Sequence, residues 1–206
     1  MSPDQPVAEL LAAAARPLED ARAMPPSVYT SPGFLQREIE TIFSREWLCV
    51  GRSSGLANPG DYVTCDLAGQ PVVVLRDREG QIRAFSNVCL HRMSTLLEGS
   101  GNARVIVCPY HAWTYGIDGK LIGVARPDMF EGVDKQARGL KELPSRVWGG
   151  VIYAQLDGRE PDWSLLSQQI ADDFEALGIP GAHVYGRRTF DLKANWKVVL
   201  EPFLEG

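Results

Sequence analysis

Two short clusters of sulfur and imidazole side chains, Cys89-Leu90-His91 and Cys108-Pro109-Tyr110-His111, constrain this chain more than any other feature. It has four cysteines and three histidines, so half of the cysteines and two of the histidines are committed to these clusters. Cysteines that merely fill a core have no reason to stand in register with histidines. Thiolates and imidazoles so closely spaced bind metals.

Two kinds of metal centre accept this donor set. A [2Fe-2S] cluster can be held by two thiolates on one iron and two imidazoles on the other. Zinc also takes two cysteines and two histidines, but its structural sites usually space each ligand pair by two to four residues. Here Leu90 alone separates Cys89 from His91. Alternate residues of an extended loop point to neighbouring positions, which suits two metal atoms better than one tetrahedral ion. The iron-sulfur reading is preferred and zinc is its rival.

The flanking sequence predicts paired loops at the end of a small sheet. Val105 and Val107 read as a strand entering Cys108, and Tyr115 to Lys120 contains Asp118-Gly119, a dipeptide that favours a tight hairpin. Gly99, Gly101 and Asn102 read as a turn between the ligand segments, and Ile82 to Phe85 as a strand leading into the first. Further short apolar runs at Tyr62 to Cys65, Val72 to Leu75, Leu121 to Val124 and Val151 to Leu156 make residues 47–156 a small antiparallel β domain. Cys49 and Cys65 lie in strand-like apolar contexts and are expected to be reduced core residues.

On these residues the chain resembles a known family. Cys89-Leu90-His91-Arg92, the Gly101-Asn102 turn and Cys108-Pro109-Tyr110-His111-Ala112-Trp113-Thr114-Tyr115 are similar to the Rieske domain of ring-hydroxylating oxygenase α subunits. The resemblance implies a [2Fe-2S] cluster with Cys89 and Cys108 on the inner iron, His91 and His111 on the outer iron, and Trp113 packed beside it. Met93 and Ala112 stand where many members have glycine. Ser94 and Tyr110 occupy the positions at which respiratory Rieske proteins carry an extra disulfide, so a reductase rather than a quinol is the implied electron donor.

The flanks extend the resemblance. Residues 1–46 hold an alanine- and proline-rich lead-in and then a helix starting at Ser31-Pro32, with Leu35, Ile39, Ile42 and Phe43 expected on its packed face. Beyond the β domain, a helix is expected from Pro161-Asp162 through Leu166, Ile170, Phe174 and Leu177 to Gly178 and Pro180. Arg187 to Leu192 reads as a strand. Residues 157–206 resemble the start of an oxygenase catalytic domain, so the implied fold class is mainly β with flanking helices (α+β): a Rieske-type antiparallel domain plus the first elements of a helix-grip-like domain.

In that family Asn195-Trp196-Lys197 begins a helix, and a carboxylate, here Glu205, bridges a Rieske histidine of one subunit to the iron site of its neighbour. Glutamate at this position resembles the branch acting on quaternary ammonium compounds, whereas aspartate is usual for aromatic substrates. Glu201 and Glu205 share a helical face by spacing, and Pro202 is expected to kink that helix. The family pattern continues after Gly206 with tyrosine and the first histidine of a mononuclear Fe(II) site. These 206 residues alone are therefore expected to show no oxygen uptake. His183, the remaining histidine, sits in a Gly/Pro-bounded loop and is expected to have no chemical role.

The resemblance further implies a homotrimer, an NAD(P)H-dependent reductase or ferredoxin as partner, and a small organic substrate with O2. A Rieske-type ferredoxin without substrate chemistry is the alternative, disfavoured by the long flanks. Composition adds boundaries: a formal net charge of -5 without a like-charge block argues against nucleic acid and anionic membrane surfaces. The apolar run Val7 to Ala15 lacks the basic residues of a signal peptide, and no stretch approaches the ~18 apolar residues of a span. A cytoplasmic protein is expected.

Overall fold

The central strand of the protein is a run of four apolar residues, Val72 to Leu75, each at most 1% exposed. Side chains alternate across a strand, so such a run needs apolar layers on both sides. The computed structural model, which describes residues 5–126, 128, 132–159, 163 and 167–204, supplies both. Val73 and Leu75 pack with Phe85, Ile106, Trp113, Tyr115 and Leu121 in one core. Val72 and Val74 pack with Ala84, Leu143, Ile152 and Ala154 in another.

Three antiparallel sheets make these layers. The middle sheet has the order β5-β2-β3-β4-β9, built from Ser100–Asn102, Asp61–Leu67, Gln70–Arg76, Ile82–Ser86 and Glu142–Leu143. On one side lies β6-β7-β8, from Val105–Val107, Thr114–Gly116 and Leu121–Gly123. On the other lies β1-β11-β10, from Leu48–Arg52, Val151–Ala154 and Ser145–Trp148. The β7-β8 connection is the expected Asp118-Gly119 turn: Gly119 takes φ 81°, and the Gly116 amide donates to the Lys120 carbonyl at 2.8 Å.

The described helices are α1 (Gln5–Ala14), α2 (Ser27–Thr30), α3 (Pro32–Glu38), α4 (Gln168–Ala176) and α5 (Trp196–Leu204). Contacts divide the chain into two compact units, Phe43–Gly186 and the pair Met1–Ile42 with Arg187–Gly206. Helix α4 lies with the sheets. Phe174 packs on Trp148 with ring centroids 4.7 Å apart, and a Cβ on Gly149 would fall 2.6 Å from the Phe174 ring.

Several expectations need correction. Ser100–Asn102 is a strand, not a turn, because it completes the edge beside β2: Tyr62 pairs with Gly101 and Asp61 with Asn102. Helix α3 starts as expected, with the Ser31 hydroxyl accepting the Phe34 amide at 3.3 Å. Its buried residues, however, are Phe34 and Glu38, while Leu35 and Ile42 are exposed. A wider π turn over Ile39–Phe43 breaks the 3.6-residue phase on which that face was read.

The helix after the sheets starts at Gln168, where the Ser167 hydroxyl accepts the Ile170 amide at 3.4 Å. Pro161-Asp162 and Leu166 lie outside the described residues. The helix ends as expected, with Gly178 at φ 68°, but Leu177 points to solvent. Arg187 to Leu192 is irregular and exposed, and among the described residues no strand pairs with it. Cys49 is exposed and so is not a core residue, whereas Cys65 is half-buried and packs against the second core; both are free thiols.

Candidate metal centre

The two ligand segments fold into loops of the same construction. In the first, the Cys89 amide donates to the Ser94 carbonyl and the Met93 amide to the Cys89 carbonyl, each at 2.9 Å. In the second, the Cys108 amide donates to the Trp113 carbonyl at 2.8 Å and the Ala112 amide to the Cys108 carbonyl at 3.0 Å. Val88 pairs with Thr95 at the base of one loop, and Val107 with Thr114 at the base of the other. The fourth residue after each cysteine turns left-handed, Met93 at φ 58° and Ala112 at φ 56°. These are the two positions at which the family resemblance placed glycine.

A common signature underlies this symmetry: valine before each cysteine and threonine six residues after it. The repeat is legible in Val88-Cys89 with Thr95 and Val107-Cys108 with Thr114. It is a signal in the sequence alone that the two segments form matching loops. The histidines break the repeat, standing two residues after Cys89 and three after Cys108, and so approach from different directions. Their rings meet with centroids 4.7 Å apart at 70°.

Burial separates the donors by type. The Cys89 and Cys108 side chains are 1% and 2% exposed within the core, whereas His91 and His111 are only half-buried. Trp113, 3% exposed, stacks on His91 with centroids 4.9 Å apart and planes 6° from parallel. Tyr110 lies against His111 at 3.8 Å. A thiolate pair is thus set inside and an imidazole pair outside.

The electrostatics suit anionic sulfur and neutral imidazole. Burial works to raise the Cys108 thiol, but the His111 and Tyr110 amides and the Cys89 and Ser94 side chains outweigh it, holding the thiol below its ordinary value. Burial, with His111 and Arg92 nearby, lowers the His91 imidazole and keeps it in the ligating form. Tyr115 sits beneath the first loop, its hydroxyl 3.4 Å from the Cys89 sulfur and accepting the Leu90 amide at 3.1 Å. Burial first, then Cys89, push the Tyr115 phenol well above its usual value, so it stays protonated. Sequence reasoning missed this residue, because an isolated tyrosine in a strand gives no sign of a sulfur partner.

The donor set fits a binuclear cluster. The His111 Nδ1 atom is buried without a hydrogen-bond partner among the described residues, as a metal-facing nitrogen would be. Two pairs suit two metal atoms.

Residues 46–138 match the Rieske [2Fe-2S] domain family. The chain carries a Rieske domain at these residues. A Rieske domain implies a [2Fe-2S] cluster, which decides between the two metals considered from sequence. The carnitine monooxygenase oxygenase subunit of Acinetobacter pittii is 35% identical over 191 residues, covering 90% of this chain and 51% of that protein. The chloroplastic choline monooxygenase of Spinacia oleracea is 36% identical over 195 residues, covering 92% of this chain and 44% of that protein. The solved structure of the quaternary ammonium Rieske monooxygenase CntA with L-carnitine superposes with a TM-score of 0.83 at 31% identity, over 98% of this chain and 56% of that one. The chain spans about half the length of the curated relatives it matches.

The remaining candidate residues lie away from the Rieske loops in sequence. Asn195 caps α5, its side-chain oxygen accepting the Lys197 amide at 3.1 Å. Glu201 is half-buried and accepts the Tyr29 hydroxyl; Glu205 lies outside the described residues. His183 is exposed. No helix of the described residues is long and apolar enough to cross a membrane.

Proposed function

We propose that the chain is the Rieske portion of the terminal oxygenase component of a Rieske non-haem iron oxygenase. In this reading it receives electrons from an NAD(P)H-dependent reductase or ferredoxin in the cytoplasm and relays them, one at a time, toward a mononuclear Fe(II) site that activates O2. Residues 47–156 are the Rieske domain, 1–46 its lead-in, and 157–206 the beginning of the catalytic domain. The substrate class is a quaternary ammonium compound. It is supported by relatives whose names specify carnitine and choline monooxygenase and by glutamate rather than aspartate at position 205.

The observation that carries the reading is the separation of donors by burial within two loops of one construction. Cys89 and Cys108 would hold the inner iron and His91 and His111 the outer one; the cluster so bound supplies a one-electron couple. The His111 and Tyr110 amides stabilise negative charge on the buried Cys108 sulfur. The half-exposed imidazole edges form the port through which charge passes to a partner, and Trp113 covers one face of His91 against water. Glu205 would link that port to the iron site of a neighbouring subunit in a homotrimer.

Anaerobic reconstitution with iron and sulfide tests the site. The expected product is brown and holds about two irons and two sulfides per chain. Reduced, it gives a rhombic EPR signal with an average g below the free-electron value and couplings to two imidazole nitrogens. Cys108→Ser and His111→Ala lose it. A colourless, zinc-loaded protein overturns the reading. A normal cluster that a reductase reduces, but that is never reoxidised by O2 with carnitine or choline in the assembled oxygenase, leaves the electron-carrier alternative.

A further inference from the structure

One carboxylate holds the start of α5. Glu38, 6% exposed at the end of α3, receives Lys197 Nζ on Oε1 at 2.7 Å and Trp196 Nε1 on Oε2 at 3.2 Å. Both of its oxygens are used. The Lys197 ammonium is ringed by aromatic faces, 5.7 Å from the Tyr29 centroid, 5.3 Å from Phe34 and 5.1 Å from Trp196. One turn along α5, Glu201 accepts the hydroxyl of the same Tyr29. Lys197 and Glu201 are four residues apart, so both anchors fall on one stripe of the helix.

Such an arrangement does more for register than for stability. Removing two charges from water offsets most of what their pairing returns, and buried pairs can often be replaced by apolar residues without loss. Rotating α5 by one residue, in contrast, would leave Glu38 with no cation and Lys197 outside its aromatic ring. Near the other end, Pro202 has no amide to give the Val198 carbonyl. The orientation of the last turn therefore depends on what is fixed upstream.

We propose that Glu38 and Tyr29 are positioning residues that set the rotation and axial register of α5, and through it the placement of the carboxylate at position 205. The inference rests on the reading of Glu205 as the group linking the Rieske port to the iron site. It gives the Asn195-Trp196-Lys197 segment a specific task, with Asn195 starting the helix while Trp196 and Lys197 lock its phase against α3.

The test uses the assembled oxygenase with two variants, Tyr29→Phe and the double replacement Glu38→Leu with Lys197→Met, which removes both charges together. Four quantities are measured: the thermal midpoint, the reduced-cluster EPR signal, hydrogen exchange of the α5 amides, and the rate at which a pre-reduced cluster is reoxidised by O2 with substrate. For the double variant the midpoint and EPR signal are expected to hold. The α5 amides should exchange at least about tenfold faster, and reoxidation should slow about 100-fold, as expected for a displacement near 1 Å. Tyr29→Phe should move both in the same direction by less. Wild-type exchange and reoxidation in the folded double variant overturn the proposal, as does a rate that falls only in step with the midpoint. If the wild-type cluster forms but is not reoxidised with substrate, the bridging role of Glu205 fails, and the exchange data alone then decide whether Glu38 and Tyr29 fix the helix.

Discussion

The Tyr115 hydroxyl lies 3.4 Å from the Cys89 sulfur while accepting the Leu90 amide at 3.1 Å. A cluster-bound thiolate has no hydrogen to give, so in this contact the hydroxyl donates to the sulfur. A donor to a cluster thiolate stabilises the reduced, more negative state. Tyr115→Phe should therefore lower the reduction potential. A charge-assisted hydrogen bond contributes about 1–3 kcal/mol, and part of it is already present in the oxidised state, so the drop should be on the order of 50 mV. Protein-film voltammetry reads this directly; an unchanged or raised potential contradicts the assigned direction of the bond.

Met93 and Ala112 occupy matching left-handed positions, at φ 58° and 56°. A residue with a Cβ pays about 1–2 kcal/mol in that region, whereas glycine costs about 0.4–1 kcal/mol through the freedom it gives the unfolded chain. Relief of strain is the larger effect. Ala112→Gly should raise stability by about 0.5–1 kcal/mol, and so should Met93→Gly, whose side chain is 71% exposed and gives up little packing. Urea midpoints in the same cluster-loaded state check this, and a lower midpoint for Ala112→Gly would show that the loop carries no strain there.

Gly119 is the opposite case. It takes φ 81° in the β7-β8 turn, and an added Cβ would fall 2.5 Å from Cε1 of the buried Phe85 ring. Strain and a core clash then act together, and Gly119→Ala should cost at least about 2–3 kcal/mol. Because β7 carries Tyr115, cluster occupancy should fall as well. A variant with unaltered iron content and urea midpoint would place this turn outside the framework of the site.

The features most legible from sequence were those set by local chemistry. The Cys/His pairs, the Asp118-Gly119 turn, the Ser31 cap and the Gly178 stop each depend on residues a few positions apart. What escaped depends on distant partners. Ser100–Asn102 is a strand because β2 presents an open edge to it, whereas among the described residues no strand pairs with Arg187 to Leu192. Glu38 is buried in a helix whose Leu35 is exposed, since its charge is answered by Trp196 and Lys197 far along the chain. The donor set of the metal centre was readable, but its left-handed residues and the Tyr115 contact required the backbone.

Asp61 links the start of β2 to its edge strand. One oxygen accepts Asn102 Nδ2 at 2.8 Å and the other the Asn58 amide at 2.8 Å. The Asn102 side chain first, then the Asn58 amide, hold this carboxyl below its ordinary value of 3.8. A group whose folded-state pKa is depressed contributes stability above its unfolded value, and that contribution disappears as pH falls through the folded value. Solvent screens a group so near the surface, so the contribution should be under about 1 kcal/mol. Asp61→Asn keeps the shape and removes the charge. The wild-type advantage in urea midpoint should be constant from about pH 5 upward and vanish between about pH 4 and 2. An advantage that instead grew on acidification would mean that these hydrogen bonds favour the protonated acid.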